Sequence, residues 1–382
     1  MAETPAQSDV DMPFFEGTEK RVEVDFEGVG DLRSAPRDQW EEVVRLSQTQ
    51  ILHQKVTPEF TSFLLSESSL IVYPSKAVLK TCGRTVPIAS IGKLLEIGRS
   101  VGLKPEWLCY SRKNFLAPGD QPWEHQSKEA EISLCQKACG GVGDAYMLGP
   151  MTGEHWLIYD AQFMWTDCSK RADFQVDVMM YDLPKDVRQV FCTKEPEGST
   201  VEAARMTEES GLGALATSIG GEVDDYCFSN CGYSGNVHAG GAYFMVHVTP
   251  QENCSYASFE TNYGSVRGDG FALEGSDVGD RVGALIGRVL DVFRPRKLTV
   301  TLFTDQGAAG AIGEKPFGAA LDRKYKRRMC TSTYFEQDYS AIIANFEVAV
   351  PAELAGNGRK RPSEDAGSQA ESLARPCKSQ TT

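Results

Sequence analysis

The chain lacks the basic excess that a general nucleic-acid binder needs. Its 382 residues carry 39 Lys and Arg against 53 Asp and Glu, a formal charge of −14 at pH 7. Affinity for phosphate backbones or anionic lipid surfaces rests on lysine and arginine, so neither nucleic acid nor membrane is an expected partner. A cationic ligand suits this balance better. No apolar run approaches the ~18 residues that cross a bilayer. The stretch Met1 to Lys20 is acidic and has no apolar core, so no secretory signal is expected and the protein is assigned to the cytoplasm. Histidine is scarce, and His53, His125, His155 and His238 form no metal-ligand spacing. A Walker A lysine pattern is missing, and Gly211-Leu212-Gly213 lacks the third glycine and strand–helix setting of a dinucleotide site.

Cysteine, by contrast, is plentiful. Eleven cysteines are an odd number in a chain far longer than small disulfide scaffolds, so reduced thiols are expected. Cys135-x3-Cys139 and Cys227-x3-Cys231 offer four thiols in two pairs, for which structural zinc is the obvious metal reading. The first pair falls in a helical pattern and the pairs are far apart in sequence, so no metal is expected, and a cytosolic zinc protein stays as an alternative.

With 41% hydrophobic and 24% charged residues the chain reads as globular. Arg21 to Phe26 alternates with period two, its apolar face being Val22, Val24 and Phe26 and Glu23 lying opposite. Ser62 to Tyr73 is a strand candidate interrupted by Ser66-Glu67-Ser68-Ser69, and Ala77 to Thr81 would pair with it. Further strands are expected at Tyr146–Leu148, His155–Tyr159, Tyr243–Thr249, Tyr256–Thr261 and Leu298–Phe303. Helical spacing covers Ile91–Val101, Glu129–Ala138 and Asp277–Phe293. Strands in adjacent runs with single helices between them predict an α+β protein with antiparallel sheets. Residues 1–12 read as a disordered leader, 13–350 as the folded domain, and 351–382, with its Arg359-Lys360-Arg361 cluster, as a disordered tail.

Three places could carry chemistry. Polar residues in mid-strand at Ser66 to Ser69 are either a hairpin edge or bulge, or a serine nucleophile held against its own backbone. Cys82 is either an inert buried thiol or a reactive one. The Gly-rich stretch Phe228 to Gly235 reads as a loop entering the strand that carries His247, where Ser234 could meet a histidine base.

These segments together resemble the eukaryotic pyruvoyl-dependent S-adenosylmethionine decarboxylases. The stretches that carry the resemblance are Phe14-Phe15-Glu16-Gly17-Thr18-Glu19-Lys20, Gly30-Asp31-Leu32-Arg33, Leu65 to Ser69, Leu79 to Gly83, Tyr110 to Phe115, Cys231 to Ser234 and His247 to Asn262. It runs from about Phe14 to Tyr339. The resemblance implies a four-layer αββα sandwich and a proenzyme that cuts itself between Glu67 and Ser68, leaving residues 1–67 and 68–382. The Ser68 hydroxyl attacks the Glu67 carbonyl, the amide becomes an ester, and elimination and hydrolysis leave an N-terminal pyruvoyl group that decarboxylates S-adenosylmethionine through a Schiff base. The product is the aminopropyl donor for spermidine synthesis. In this family His247 corresponds to the base, Ser234 to a stabilising hydroxyl and Cys82 to the proton donor. Glu16 and Glu19 belong to the same site, Phe15 and Phe228 stack on adenine, and Glu67 lies at its edge.

Departures from the family pattern are also legible. Gln251 stands where a ribose-binding glutamate is usual, with Glu252 as a possible substitute. A second, acidic site for putrescine would use Glu23, Lys80, Asp173, Asp177 and Glu260, with Phe303 and Tyr339 nearby. There Asp177, Gln175 and Cys109 replace the usual glutamate, threonine and aromatic residue. A structural charge network built on Lys80 is the competing reading. The pattern is similar to the trypanosomatid branch, in which active subunits can pair with an inactive paralogue. A homodimer and a non-catalytic regulatory chain of the same fold are the other possibilities, and the latter should lack Ser68, Cys82 or His247, all present here.

Overall fold

Val22, Val24 and Phe26 alternate along β1 (Lys20–Glu27) and meet a layer of helices. The opposite face carries Arg21, Glu23 and Asp25, and it is buried as well. Charges taken out of water must be paired, so what β1 faces on that side decides the interior of the molecule.

In the computed structural model, which describes residues 14–164, 174–229, 231–263, 278–305, 317, 321, 324–335 and 339–349, β1 is an inner strand of an eight-stranded sheet. Its other strands are β2 (Ile51–Val56), β3 (Thr61–Leu65), β4 (Ser68–Val72), β5 (Lys76–Thr81), β6 (Lys104–Lys113), β7 (Asp144–Leu148) and β8 (Trp156–Gln162). The order is β2-β3-β4-β5-β1-β6-β8-β7. A second sheet holds β9 (Phe174–Tyr181), β10 (Glu222–Cys227), β11 (Tyr233–Ala239), β12 (Ala242–Thr249), β13 (Tyr256–Thr261), β14 (Lys297–Asp305), β15 (Tyr325–Tyr334) and β16 (Tyr339–Val348). Its order, β10-β11-β12-β13-β9-β14-β16-β15, repeats the first with every strand moved on by eight. Neighbouring strands run antiparallel throughout, as the sequence predicts.

Helices α1 (Arg37–Leu46), α2 (Ile91–Ser100) and α3 (Lys128–Ala138) cover the first sheet with Trp40, Val44, Leu95 and Ile97. Helices α4 (Lys185–Val190), α5 (Thr200–Ser210), α6 (Leu212–Thr217) and α7 (Val278–Phe293) cover the second. The α7 stripe of Val282, Leu285, Ile286, Val289, Leu290 and Phe293 is fully buried, each side chain contributing about 1.5–3 kcal/mol. Phe293 stacks on Phe191 at 5.9 Å. Between the sheets lie two smaller apolar clusters, one around Trp107, Met179 and Phe303 and one around Phe60, Tyr73 and Tyr243. The result is the αββα sandwich.

Two expectations need correction. Ser62 to Tyr73 is not one interrupted strand: the polar interruption is the turn between β3 and β4, with Leu65 paired to Ser68. The segment around Ser234 is not a loop: β11 begins at Tyr233 and pairs with β12 along its length. Glycine and small polar residues there hide the alternation, because both faces of β11 are buried. Helices α1, α4, α5 and α6 escaped the sequence reading. Asp173, the leader and the tail beyond Pro351 lie outside the described residues. Among the described residues no helix is long and apolar enough to cross a membrane.

Candidate active site

The two-residue turn Ser66-Glu67 sends the chain back into β4 with Ser68 at φ +96°. A residue with a Cβ held in such a region stores on the order of 1–3 kcal/mol and persists only when its surroundings enforce it. Here they do, since Ser68 is buried and opposite Thr81 of β5. Its hydroxyl donates to Glu19 Oε1 at 3.4 Å and hydrogen-bonds the Cys82 thiol.

The second sheet supplies the facing groups. Register puts Ser234 of β11 opposite His247 of β12, and His247 opposite Ser258 of β13. Ser234 Oγ lies 3.0 Å from His247 Nδ1, while Ser69 Oγ lies 3.4 Å from Nε2 and donates to Asn236 Oδ1 at 2.6 Å. Burial, and then the Lys80 charge, lower the His247 pKa to about 3, with Glu260 opposing. The imidazole is therefore neutral at pH 7 and able to take a proton. Burial, with Glu19 next in effect, pushes the Cys82 thiol up to about 12. That thiol is a proton source at neutral pH, not a standing nucleophile.

These groups share one cavity of about 390 Å³. Glu67, Ser68 and Cys82 reach it from the first sheet, and Ser234 and His247 from the second. Phe15 and Phe228 both line it, as does Gln251. Phe15 packs over Gly83, which has φ +63° and where an added Cβ would come within 3.0 Å of the ring. Gln251 Oε1 accepts from the Phe15 backbone N–H at 3.1 Å, so this residue also fixes the aromatic wall.

Glu16 and Glu19 stand behind the wall. Glu16 Oε2 accepts from the N–H groups of Leu116 and Ala117 at 2.9 and 3.0 Å, tying down the chain after β6. Glu19 accepts from Ser258 at 2.8 Å and Tyr256 at 3.0 Å, and pairs with Lys80 at 3.2 Å. Glu252 is outside, 3.8 Å from Arg188 at the surface.

The remaining acidic residues meet the charged face of β1. Lys80 Nζ lies 3.0 Å from Asp177, 3.1 Å from Glu260 and 3.2 Å from Glu19. Burial opposes its charge, but the three carboxylates outweigh burial and raise its pKa. Arg21, which the sequence reading passed over, bridges Glu23 and Glu260. Burial raises Asp177 to about 7 against the pull of Lys80, with Glu260 and Glu19 adding to the rise. Beside Lys80, Asp177 Oδ1 and Thr301 Oγ1, opposite each other in register, and Gln175 Oε1 are buried without a hydrogen-bond partner among the described residues. Asp173 is not described.

The cysteines contradict the zinc reading and part of the reduced-thiol expectation. Cys135 and Cys139 belong to the core under α3, Cys227 to the core of the other sheet, and Cys231 is bonded to Cys192. The four thiols do not converge. Asn236, Tyr256 and Ser258 were missed as site residues; polar side chains at alternate positions of apolar strands were the available signal.

Comparison with known proteins covers most of the chain. The sequence model of the family described as adenosylmethionine decarboxylase matches residues 12–347. A Dictyostelium discoideum protein named S-adenosylmethionine decarboxylase proenzyme is 30% identical, over 87% of this chain and 86% of its own. Proteins of the same name from Zea mays and Xenopus laevis are 34% and 33% identical, over 80% and 88% of this chain and 76% and 96% of theirs. Among solved structures, a crystal structure of Trypanosoma brucei AdoMetDC-delta26 monomer superposes with a TM-score of 0.54 at 22% identity, covering 74% of this chain and 99% of that one. That likeness carries the fold alone; the family match and the relatives carry more. With the strained serine, the buried thiol and the neutral histidine around one cavity, they show that the chain belongs to the adenosylmethionine decarboxylase family.

Proposed function

We propose that this protein is a self-processing S-adenosylmethionine decarboxylase and that Ser68 is the precursor of its pyruvoyl group. The observation that carries the reading is Ser68 itself, buried at φ +96° after a two-residue turn and lining the cavity shared with Cys82, Ser234 and His247. Backbone strain at the bond to be cut favours a hydroxyl attack that relieves it. In this reading the Ser68 oxygen adds to the Glu67 carbonyl, the C–N bond breaks, and an ester replaces the amide. Neutral His247 then takes the Ser68 α-proton, and Ser234 orients the imidazole through Nδ1.

The pyruvoyl group would supply a ketone that accepts the electron pair released as carbon dioxide leaves. Around it, Phe15 and Phe228 would hold the purine between them, Glu67 would meet its edge, and Gln251 would accept or donate toward the ribose. Aromatic faces and an acidic interior suit a sulfonium cation. Cys82, kept protonated by burial, would return a proton to the substrate carbon.

A diamine effector is the second part of the reading. Three orphaned acceptors, Asp177 Oδ1, Thr301 Oγ1 and Gln175 Oε1, support a cationic donor between the sheets, because a buried acceptor without a partner costs about 1–3 kcal/mol. Putrescine has the right charge. The Lys80 network supports a structural role for the remaining carboxylates. A cytosolic setting is supported by Cys82, Cys109, Cys135, Cys139, Cys227 and Cys254, which form no disulfide.

The activity is tested by release of labelled carbon dioxide from carboxyl-labelled S-adenosylmethionine. We expect release by the native chain, inactivation by substrate plus a hydride reductant, and no release by Ser68→Ala. Release undiminished in that variant overturns the reading.

A further inference from the structure

Lys20 is completely buried, yet among the described residues no carboxylate lies within ion-pair distance of it. Its ammonium donates to Gly83 O at 2.8 Å and to Gln121 Oε1 at 3.2 Å, and sits 5.2 Å from the centre of the Phe115 ring. Two neutral oxygens and a ring face are poor compensation for a desolvated charge. Glu131 does not serve as counter-ion, because Arg112, His125 and Tyr110 already engage it. Glu16 spends one oxygen on the backbone of Leu116 and Ala117, and its Oε1 has no hydrogen-bond partner. Such a costly cation needs another reason to be there.

The reason is next along the chain from its first acceptor. Register sets Lys20 of β1 opposite Thr81 of β5, and Cys82 and Gly83 follow directly. Glu19 and Glu67 both resist loss of the Cys82 proton, and the Lys20 charge acts the other way. We propose that Lys20 is a positioning residue for the proton-return step, its ammonium stabilising the thiolate left on Cys82 once the proton has gone to the substrate. The proposal rests on the assignment of Cys82 as proton donor made above. In the step, the S–H bond breaks and its electron pair stays on sulfur. The proton joins the substrate carbon that has lost its carboxylate, using the electron pair left there, and water later restores the thiol.

Charge on Lys20 is conditional. Burial lowers its pKa to about 8; Cys82, Glu16 and Glu131 pull it up and Arg112 pushes it down. Below pH 8 the cation is present, and above it the support for the thiolate fades.

The test is site-resolved labelling of the purified full chain with iodoacetamide, which reacts with thiolate. In Lys20→Met, labelling of Cys82 at pH 8 should slow about tenfold, the one-unit shift that a nearby charge commonly imposes. Lys20→Arg keeps the charge and should stay within about threefold of native. The buried core thiol of Cys135 should stay unlabelled in all three, which reports an intact fold. kcat should fall with Cys82 labelling while KM holds, and Lys20→Arg should restore it. Unchanged Cys82 labelling in Lys20→Met, or slower labelling with unchanged kcat, overturns the proposal. Should Lys20→Met not fold, the native chain decides: above about pH 8 Cys82 labelling should rise less than the tenfold per pH unit of an isolated thiol, and a full tenfold rise overturns it. Absence of decarboxylation in the native chain would count against the proposed activity, whereas the labelling result speaks to Lys20 and Cys82 alone.

Discussion

His247 sits between two hydroxyls, Ser234 at 3.0 Å and Ser69 at 3.4 Å, and its neutrality comes from burial and the nearby Lys80 charge. In the proposed reading His247 acts as base after the ester has formed, so its loss should stop the reaction midway. Hydroxylamine should therefore cut His247→Ala at Ser68 but leave Ser68→Ala whole, as read by mass. Equal resistance in both variants would remove His247 from that step. The same residue sets a pH dependence. Its folded pKa of about 3 lies below the ordinary 6.5, so its contribution to stability is complete above pH 6.5 and declines as pH falls toward 3. Denaturant unfolding of native and His247→Asn chains should converge as pH is lowered from 7 to 4. At this scale the sequence was informative: Ser68, Cys82, Ser234 and His247 stood out through the family resemblance and do share a cavity. Lys20, Arg21, Asn236 and Ser258 were silent, because their significance lies in cross-strand register and in missing counter-ions, neither of which a linear pattern displays.

At the level of elements, the turn joining β3 and β4 and the chain joining β10 and β11 make opposite walls of the cavity. The second wall carries Phe228 and is tied at Cys231 to Cys192, beyond the end of α4. Gly232 adds a backbone bond to Phe191 O at 3.0 Å. Reduction, or Cys192→Ser, should loosen this wall and raise KM for substrate several-fold, while Ser68 cleavage proceeds as before. An unchanged KM would show that the backbone bond suffices. Strands and helices with strict periodicity, β1 and α7 above all, were readable from sequence. The β3–β4 turn was not, since three serines and a glutamate suit a strand bulge and a turn equally. β11 was hidden because a strand buried on both faces loses its alternation.

For the whole molecule, two sheets of the same strand order meet across an interior that is partly ionic. Lys80 joins Glu19 of the cavity wall to Asp177 and Glu260 of the second sheet. Removing one partner from a buried cluster leaves charges without compensation, so Lys80→Met should lose about 3–5 kcal/mol in denaturant unfolding. A loss under about 1 kcal/mol would mean that water or protonation takes over its role. Added putrescine should speed self-cleavage or turnover through the orphaned acceptors at Asp177, and Asp177→Asn should lose that stimulation; a native chain indifferent to diamine would leave the cluster purely structural. Composition and strand spacing made the antiparallel α+β class legible. The four layers came only through the family resemblance and the repeated strand order not at all, because pairing between distant strands leaves no local mark.

Self-processing rests on one bond, that between Glu67 and Ser68. Intact mass of freshly purified chain, under reducing and denaturing conditions, should show residues 1–67 and 68–382 as separate species, the larger one lighter than its sequence by the change from serine to pyruvoyl and reactive toward a hydride reductant. A single uncut chain, with or without putrescine, would contradict it.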